Sequence, residues 1–334
     1  MADFEKIIKI PWTILCIIFT ELKKIVAWKR MNSKPGISNT FACLNGKTAI
    51  ITGGNSGIGY TTSLLLASRG CRVIIACRRN AVKERDEIMK QTNNPNVIIK
   101  HLDLSKFASV RKFAEEIKAE EPKIDFLINN AGVGHVHQNR TSDDGQDIIL
   151  QTNSFGHFLL THLLIDLLKK SDGARIVFLT SFLAYFNCLS FSGLKPWKKV
   201  YFGSRLLVYA NSKALNTMAA QEMNKKLEKF GIKVFSIDPG VVQTPIFDSL
   251  DVPGAEEAFF RRLFGILTNI FSTDSRLAAE SILHAISSKT IEGGLNIFRC
   301  KPFHKPRNCD NIGFCEDIWN KTERIVGLQP EEKL

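Results

Sequence analysis

The sequence has no Cys-x-x-Cys pair among its eight cysteines, and none of the cysteine and histidine spacings that are typical of zinc sites. At 334 residues the chain is much longer than small secreted domains that depend on disulfides, so we interpret the cysteines as reduced thiols facing the cytosol. Acidic residues are scarce: 33 Asp and Glu stand against 45 Lys and Arg, a formal net charge of +12. This excess suits an anionic partner, although a solvated basic surface accounts for most of the charge. Because no basic run with interleaved aromatic residues is present, nucleic acid is the weakest candidate, behind a nucleotide phosphate or an acidic membrane surface.

The chain also lacks low-complexity segments and short internal repeats. With 44% hydrophobic and 23% charged residues, its composition is that of a globular protein with a large buried core. The N-terminus departs from this average. The segment "IIKIPWTILCIIFT" (residues 7–20) is almost wholly apolar, but it is shorter than the ~20 residues that a spanning helix needs and contains Lys9 and Pro11.

The residues after this apolar segment, "ELKK", are a poor signal-peptidase site, so a cleaved leader is disfavoured. A short signal anchor, an amphipathic helix in the membrane interface and a helix packed on the protein's own core are the alternatives. We expect residues 1–30 to anchor the protein to a membrane, whether they span it or lie on it. Residues 31–43 are then a linker that contains Pro and Gly, and residues 44–325 form the folded domain.

From Lys47 onward, short β-branched runs alternate with helical stretches. The runs are continuously apolar, which is typical of strands covered on both faces. About seven such strands joined by helical crossovers predict a single α/β domain with a doubly wound parallel sheet, the Rossmann fold. The predicted strands are "KTAIIT", "RVIIACR", "NVIIKHLDL", "IDFLINNAG", "ARIVFLTS", "IKVFSIDPG" and "GLNIF".

The glycine-rich stretch "TGGNSGIG" (residues 52–59) falls at the turn from the first strand to the first helix. We expect Gly53 to turn sharply out of the strand, Gly57 to let the backbone reach a pyrophosphate and Gly59 to let helix and sheet approach. An anion would then lie at the positive end of the helix. A plain tight turn is the alternative, but strand, turn and helix occur in the required order.

The spacing Thr-Gly-x-x-x-Gly-x-Gly is followed in order by "NNAG", "YANSK", "DPG" and Thr244. Together these motifs resemble the short-chain dehydrogenase/reductase family over about residues 44–298. The stretches "ACRR", "LDLS" and "GHFLLT" are closer still to its retinol dehydrogenase branch. The resemblance implies that the cofactor is bound by Gly53, Asn55, Ser56, Gly57, Ile58, Gly59, Asp103, Leu104, Asn130, Ala131, Gly132, Tyr209, Lys213, Pro239, Gly240 and Thr244.

The end of the second strand distinguishes NAD from NADP. An NAD enzyme places Asp or Glu there to accept from the ribose hydroxyls, whereas this strand ends "IIACRRN" without an acid. An arginine at this point can bind a 2′-phosphate. We therefore predict NADP(H), with Arg78 as the main contact and Arg79 either a second contact or exposed. Asp103 of "LDLS" addresses the adenine by resemblance, caps the following helix, or does both.

Lys213 follows Tyr209 by four residues, which on a helix places both side chains on one face. A tyrosine with a pKa of about 10 is a poor base near neutrality, and a nearby ammonium favours its phenolate. Tyr201 and Tyr185 have no lysine at this offset. Tyr209 is therefore the predicted proton donor and acceptor.

Ser181, at the carboxyl end of the fifth strand, is predicted to hold the substrate oxygen, with Thr180 as its rival. By resemblance Asn153 is the fourth catalytic residue and holds a water that leads to the lysine, while Lys213 also contacts the nicotinamide ribose. A buried amide at a helix kink is the alternative for Asn153. His135, His137, His157 and His162 do not converge on a metal site, so we predict structural roles and no metal.

Two segments rich in Phe and Leu, residues 182–208 and 245–271, are predicted to line an apolar substrate pocket or to pack as amphipathic helices. The sequence thus predicts an NADP(H)-dependent alcohol dehydrogenase/reductase for a lipophilic alcohol and its aldehyde or ketone, with retinol and retinal first. Farnesal, steroid and fatty aldehyde substrates are alternatives, and so is a catalytically silent nucleotide-binding protein. We expect the endoplasmic reticulum membrane with the catalytic domain facing the cytosol. A homodimer and the direction of reaction are left open.

Overall fold

The structure is a computed structural model that describes residues 42–134, 141–190, 204–242 and 272–334, together with Ala27 and Leu194. Apart from Ala27, the predicted anchor lies outside the described residues, as does the linker up to residue 41. Thr244, His135 and His137 also lie outside them, as do residues 191–193 and 195–203 of the first predicted pocket segment and all of the second, 245–271.

A central sheet of eight strands has the order β3-β2-β1-β4-β5-β6-β9-β10 within the described ranges. Its strands are β1 (Thr48–Thr52), β2 (Arg72–Cys77), β3 (Val97–His101), β4 (Phe126–Asn129), β5 (Arg175–Leu179), β6 (Lys233–Asp238), β9 (Asn296–Phe298) and β10 (Lys301–Phe303). All seven predicted strands are present and parallel to their neighbours, which confirms the doubly wound sheet. The eighth strand, β10, was not predicted and runs antiparallel to β9. A separate parallel pair joins β7 (Val241–Val242) and β8 (Ser272–Thr273).

Seven α-helices occur in the described part of the chain. They are α1 (Gly57–Ala67), α2 (Val82–Thr92), α3 (Phe107–Glu120), α4 (Ile148–Lys169), α5 (Ser204–Leu227), α6 (Ser275–Ser287) and α7 (Ile312–Ile325). Helix α4 is interrupted near its start by a π-helical turn, Gln151–Phe155, and such turns are frequent at functional sites.

The two faces of the sheet form two apolar cores. Neighbouring residues Ile50 and Ile51 of β1 are both fully buried, but Ile50 packs with α3, α4 and α5 while Ile51 packs with α1, α2 and α6. Because successive side chains of a strand point to opposite faces, a strand with helices on both sides must be apolar at every position. This explains the continuous apolar runs in the sequence.

The C-terminal helix α7 was not predicted from the sequence. It packs on α4 and α5 through Trp319, whose ring lies 4.8 Å from that of Phe158 and 5.3 Å from that of His162. After α7 the chain is tied back to α3 by an ion pair between Arg111 and Glu332. Among the described helices, α4 is the one long and apolar enough to cross a membrane, and 89% of its apolar window is buried inside the protein.

The order of the strands reverses between β1 and β4, which lie side by side in the sheet. In open parallel sheets, ligands bind at this reversal, beyond the carboxyl ends of the strands. The chain leaves β1 at Thr52 and β4 at Asn129, so the glycine-rich turn and the "NNAG" turn meet there. The fold therefore places the candidate site at this edge.

Candidate active site

The glycine-rich turn leaves β1 with a backbone that favours glycine. Gly53 has a φ of +65° and its N–H donates to the Ala76 carbonyl at 2.7 Å, which holds the turn beside the end of β2. Gly57, the first residue of α1, has a φ of +51°. A Cβ on Gly59 would overlap the Gly53 carbonyl oxygen. The three glycines thus provide the sharp turn and the close approach of helix and strand that the sequence predicted.

The first turn of α1 fits an anionic cofactor. Ser56 precedes the helix with an extended backbone, and its side chain makes no capping hydrogen bond. Asn55 and Ile58 are buried on either side. Backbone N–H groups at a helix start, next to glycines whose missing Cβ atoms leave room, form the usual site for a pyrophosphate. The residues present therefore fit the dinucleotide that the sequence predicted.

The "NNAG" turn is attached to the end of β1 by the side chain of Thr52. The backbone N–H groups of Asn130 and Ala131 each donate to Thr52 Oγ1 at 2.9 Å. Asn130 Nδ2 donates in turn to the Thr52 carbonyl at 2.8 Å. The turn then brings Gly132 close to Asn153 and Lys213. A Cβ added to Gly132 would lie 3.3 Å from Asn153 Oδ1 and 3.4 Å from Lys213 Nζ.

Tyr209 and Lys213 lie on α5, and both are buried, with exposed fractions of 4% and 2%. The Tyr209 hydroxyl forms a hydrogen bond with Ser181, two residues after the end of β5. Lys213 Nζ donates to the carbonyl of Leu179, the last residue of β5, at 3.2 Å. Thr180, the rival of Ser181, is buried, and its N–H donates to the Ile237 carbonyl. Strand and helix together therefore bring Ser181, Tyr209 and Lys213 to one place.

Burial dominates the protonation of the pair. It raises the pKa of Tyr209 to about 12, although the hydrogen bond from Ser181 acts in the opposite direction and the Asp238 charge adds to the rise. Burial also lowers the pKa of Lys213 to about 8. The sequence had led us to expect that the lysine would favour the phenolate. In this structure the Tyr209 pKa is shifted by burial, by Ser181 and by Asp238, and the phenol keeps its proton near neutrality.

Asn153 lies in the π-helical turn of α4 and is fully buried. Its Oδ1 accepts from the Val133 N–H at 2.8 Å, and its Nδ2 donates to the Val133 carbonyl and to Ser212 Oγ, both at 3.0 Å. Ser212 lies on α5 between Tyr209 and Lys213. The amide of Asn153 therefore joins the residue after "NNAG" to the helix that carries the tyrosine. Among the described contacts, one lone pair of Oδ1 remains for the water that the resemblance predicts.

Asp103 lies two residues beyond the end of β3. Its Oδ1 accepts from the backbone N–H of Ser105 at 3.0 Å and from the Ser105 hydroxyl at 2.6 Å. The first N–H of α3, that of Phe107, donates instead to Asp144 Oδ2 at 2.9 Å. Asp103 therefore stabilises the loop before α3, and Asp144 makes the contact with the first N–H of the helix that was one of the two alternatives for Asp103. Leu104, the next predicted cofactor contact, is buried.

Arg78 and Arg79 follow β2 in an exposed bend. The preceding Cys77 is buried, and its thiol donates to the Arg79 carbonyl at 3.2 Å. Gly53 is bonded to Ala76 at the end of the same strand, so the two arginines leave the sheet next to the glycine-rich turn. This places them at the edge where the ribose of a dinucleotide would lie.

Pro239 and Gly240 follow β6 at the same edge. Gly240 has a φ of +80°, and its N–H donates to Asp238 Oδ1 at 3.0 Å. Asp238 is buried and also contributes to the raised pKa of Tyr209. The predicted contact Thr244 comes soon after, outside the described residues.

Two residues that sequence reasoning missed connect the site. Thr52 holds the "NNAG" turn, and His157 Nε2 lies 2.8 Å from Thr52 Oγ1. From the sequence we predicted only a general structural role for His157. Its position four residues after Asn153, on the same helix face, was the one available sign of proximity to the site. No group of three or more His, Cys, Asp or Glu side chains suited to a metal ion occurs among the described residues.

The chain is similar to several known proteins. The sequence model for "short chain dehydrogenase" matches residues 47–252. Human retinol dehydrogenase 12 is 34% identical over 300 residues, which cover 89% of this chain and 91% of that protein. Mouse retinol dehydrogenase 14 is 31% identical over 299 residues, covering 85% of this chain and 87% of that protein.

The fold also recurs among solved structures. An uncharacterized protein from Mycobacterium paratuberculosis has a TM-score of 0.67 at 24% identity, covering 89% of this chain and 99% of that one. At this identity the likeness supports the fold alone. The family match and the curated relatives go further: the chain belongs to the short-chain dehydrogenase/reductase family, whose members use nicotinamide cofactors, and it is similar to the retinol dehydrogenases within that family.

Proposed function

We propose that the protein is an NADP(H)-dependent oxidoreductase that interconverts a lipophilic alcohol and its aldehyde or ketone, with retinol and retinal as the first candidates. The observation that carries this proposal is the hydrogen bond between Ser181 and the Tyr209 hydroxyl, with Lys213 Nζ 5.7 Å from the centre of the tyrosine ring. All three side chains lie at the sheet edge where the glycine-rich turn begins.

In this proposal the glycine-rich turn and the start of α1 bind the pyrophosphate. The "NNAG" turn and Lys213 hold the nicotinamide ribose, and Pro239 and Gly240 contact the cofactor at the same edge of the sheet. When bound, the cofactor supplies or removes the hydride of the alcohol carbon. The chain's own residues then have to orient the substrate and move one proton.

For reduction, Tyr209 donates its proton to the carbonyl oxygen as a general acid. Because the pKa of Tyr209 is raised, the phenol is protonated before the reaction. Ser181 donates a hydrogen bond to the same oxygen and fixes it beside the phenol. Lys213, which is charged at neutral pH, stabilises the phenolate that remains. For alcohol oxidation the same groups act in reverse.

The choice of NADP(H) rests on Arg78. The exposed bend after β2 carries Arg78 and Arg79 and no carboxylate. A carboxylate there would repel a 2′-phosphate, while a guanidinium can bind it through two parallel hydrogen bonds. Arg78, nearer to the strand, is the proposed contact.

The names of the curated relatives support a retinoid substrate, since several relatives are retinol dehydrogenases. The Phe- and Leu-rich sequences of residues 182–208 and 245–271 are consistent with a lipophilic ligand. Farnesal, steroids and fatty aldehydes remain candidates because they are lipophilic too. We further propose that residues 1–30 attach the protein to the endoplasmic reticulum membrane with the catalytic domain in the cytosol. The free state of all described cysteines is consistent with that compartment.

A substrate panel tests the proposed function. Purified protein is incubated with NADPH or NADH and with retinal, farnesal, a steroid ketone or an aliphatic aldehyde, and cofactor oxidation is followed by absorbance. We expect turnover with retinal and a preference for NADPH. NADPH binding without turnover of any carbonyl would contradict the proposal and favour a catalytically silent nucleotide-binding protein.

A further inference from the structure

His157 joins Thr52, at the end of β1, to Asn153, in the π-helical turn of α4. The donor and the acceptor of each hydrogen bond in this chain can be assigned. Its Nδ1 lies 3.0 Å from the carbonyl oxygen of Asn153. A carbonyl only accepts, so Nδ1 carries the proton. Because the imidazole is neutral when burial lowers its pKa to about 3, Nε2 must then be an acceptor.

The partner of Nε2 is the Thr52 hydroxyl at 2.8 Å. Thr52 Oγ1 already accepts from the N–H groups of Asn130 and Ala131, so its own proton is free to be donated. The alternative acceptor, the Ile128 carbonyl, is farther away at 3.4 Å. Thr52 therefore donates to His157, and His157 donates to Asn153.

These bonds close a ring around the "NNAG" turn. Thr52 holds the start of the turn, Asn153 holds Val133 directly after it, and His157 ties Thr52 to the backbone of Asn153. Gly132, between the two attachments, faces Lys213 Nζ. Asn153 lies in the π-helical turn, and His157 follows it by four residues in the first turn of regular α-helix.

We propose that His157 is a positioning residue that sets the "NNAG" turn and Asn153 at a fixed distance from Lys213, and thereby aligns the cofactor-binding turn with Tyr209. It touches neither the substrate nor the reacting atoms. Its kinetic consequence rests on the proposed function, because misplacement of a reacting group by about 1 Å can cost a hundredfold in rate.

His162 provides a matched control on the same helix. It is also buried, its Nδ1 lies 2.9 Å from the Phe158 carbonyl, and burial lowers its pKa to about 4. It differs in facing Trp319, and its Nε2 has no hydrogen-bond partner among the described residues. Substitution of His162 removes a comparable side chain without touching the ring around the "NNAG" turn.

The test compares His157→Leu, His157→Gln and His162→Leu in the full chain. We expect His157→Leu to lower kcat by about tenfold to a hundredfold and to raise the dissociation constant of NADPH several-fold, with a small change in KM for the carbonyl. His157→Gln should recover part of the loss, since its amide oxygen can accept from Thr52. Equal changes in kcat and in NADPH affinity for the His157→Leu and His162→Leu proteins would overturn the proposal.

A second measurement does not depend on turnover, and it uses a variant only to assign the histidine signal. In wild-type protein labelled with ¹⁵N-histidine, the ring nitrogen shifts should identify His157 as neutral with the proton on Nδ1, and His157→Gln assigns the signal. A proton on Nε2 would contradict the directed hydrogen bonds and overturn the proposal. If the wild-type protein reduces no carbonyl, the proposed function fails, while the tautomer and the NADPH affinity still decide the role of His157.

Discussion

Lys213 lies one helical turn after Tyr209, with Nζ 5.7 Å from the centre of the phenol ring, and both side chains are buried. Burial opposes charge on both groups: it holds the tyrosine pKa high and the lysine pKa low. At neutral pH Tyr209 is therefore a protonated phenol. The Lys213 ammonium beside it loses its proton as the pH rises above about 8. That relationship has consequences for stability and for turnover.

Stability should depend on the titration of Lys213. Its pKa is lowered from 10.5 to about 8, so between these values the unfolded chain binds the extra proton and stability rises with pH. The Lys213→Met protein lacks this group. The free energy of unfolding of the wild type relative to that variant should rise by roughly 1–3 kcal/mol from pH about 8 to about 10. Urea unfolding at several pH values measures it, and a flat difference would contradict the low pKa.

Removal of the Tyr209 hydroxyl should abolish turnover while leaving the cofactor site intact. Loss of a general acid typically costs about 10²–10⁴-fold in kcat, and we expect this for Tyr209→Phe with NADPH affinity near that of the wild type. Tyr185→Phe is the control. Tyr185 is buried, and its hydroxyl donates to the His304 carbonyl at 2.7 Å. A kcat in Tyr209→Phe comparable to that of the control would exclude Tyr209 as the proton donor.

Cofactor preference should depend on Arg78. Arg78→Glu is expected to raise KM for NADPH by about ten- to a hundredfold, the effect of losing charge-assisted hydrogen bonds to a phosphate. KM for NADH should change far less. Arg79→Glu is the charge-matched control in the same exposed bend. Equal increases for both cofactors in the Arg78 variant would show that the 2′-phosphate is bound elsewhere.

The contact between helix and strand at Gly59 should tolerate no side chain. Gly59→Ala places a Cβ against the Gly53 carbonyl oxygen, so we expect loss of NADPH affinity and a destabilisation of about 1–3 kcal/mol. Gly313→Ala, in the first turn of α7, places its Cβ 4.0 Å from Asn311 Oδ1 without a clash and should be neutral or stabilise by up to about 1 kcal/mol. Thermal unfolding of both variants, with NADPH titrations, makes the comparison. Wild-type behaviour of Gly59→Ala would contradict the close approach.

Membrane attachment should be lost on deletion of residues 1–30. The prediction follows from the apolar segment at residues 7–20 and the lysines and arginines after it. Fractionation of cells that express the full and the shortened chain measures it, with NADPH binding as the control for folding. A shortened chain that stays in the membrane fraction would move the attachment elsewhere, with the Phe-rich segment near residue 260 as the next candidate.

The strands were predictable because burial on both faces leaves a continuous apolar run, as Ile50 and Ile51 show with their two separate cores. The glycine-rich turn was predictable because positive φ at Gly53 and Gly57 restricts the residue type. Helix α7 was missed: its apolar residues occur as one stripe among charged ones, and only contact with α4 through Trp319 shows what that stripe covers.

For the site, the sequence by itself determined the spacing that puts Tyr209 and Lys213 on one helix face, since that depends only on the helical repeat. Tertiary structure decided the rest. The direction of the Tyr209 pKa depends on how much water the fold excludes, and the role of His157 depends on Thr52, a hydrogen-bond partner 105 residues away in the chain. Desolvation and long-range hydrogen bonds arise from atoms that meet only after folding, so no local pattern of residues could have specified them.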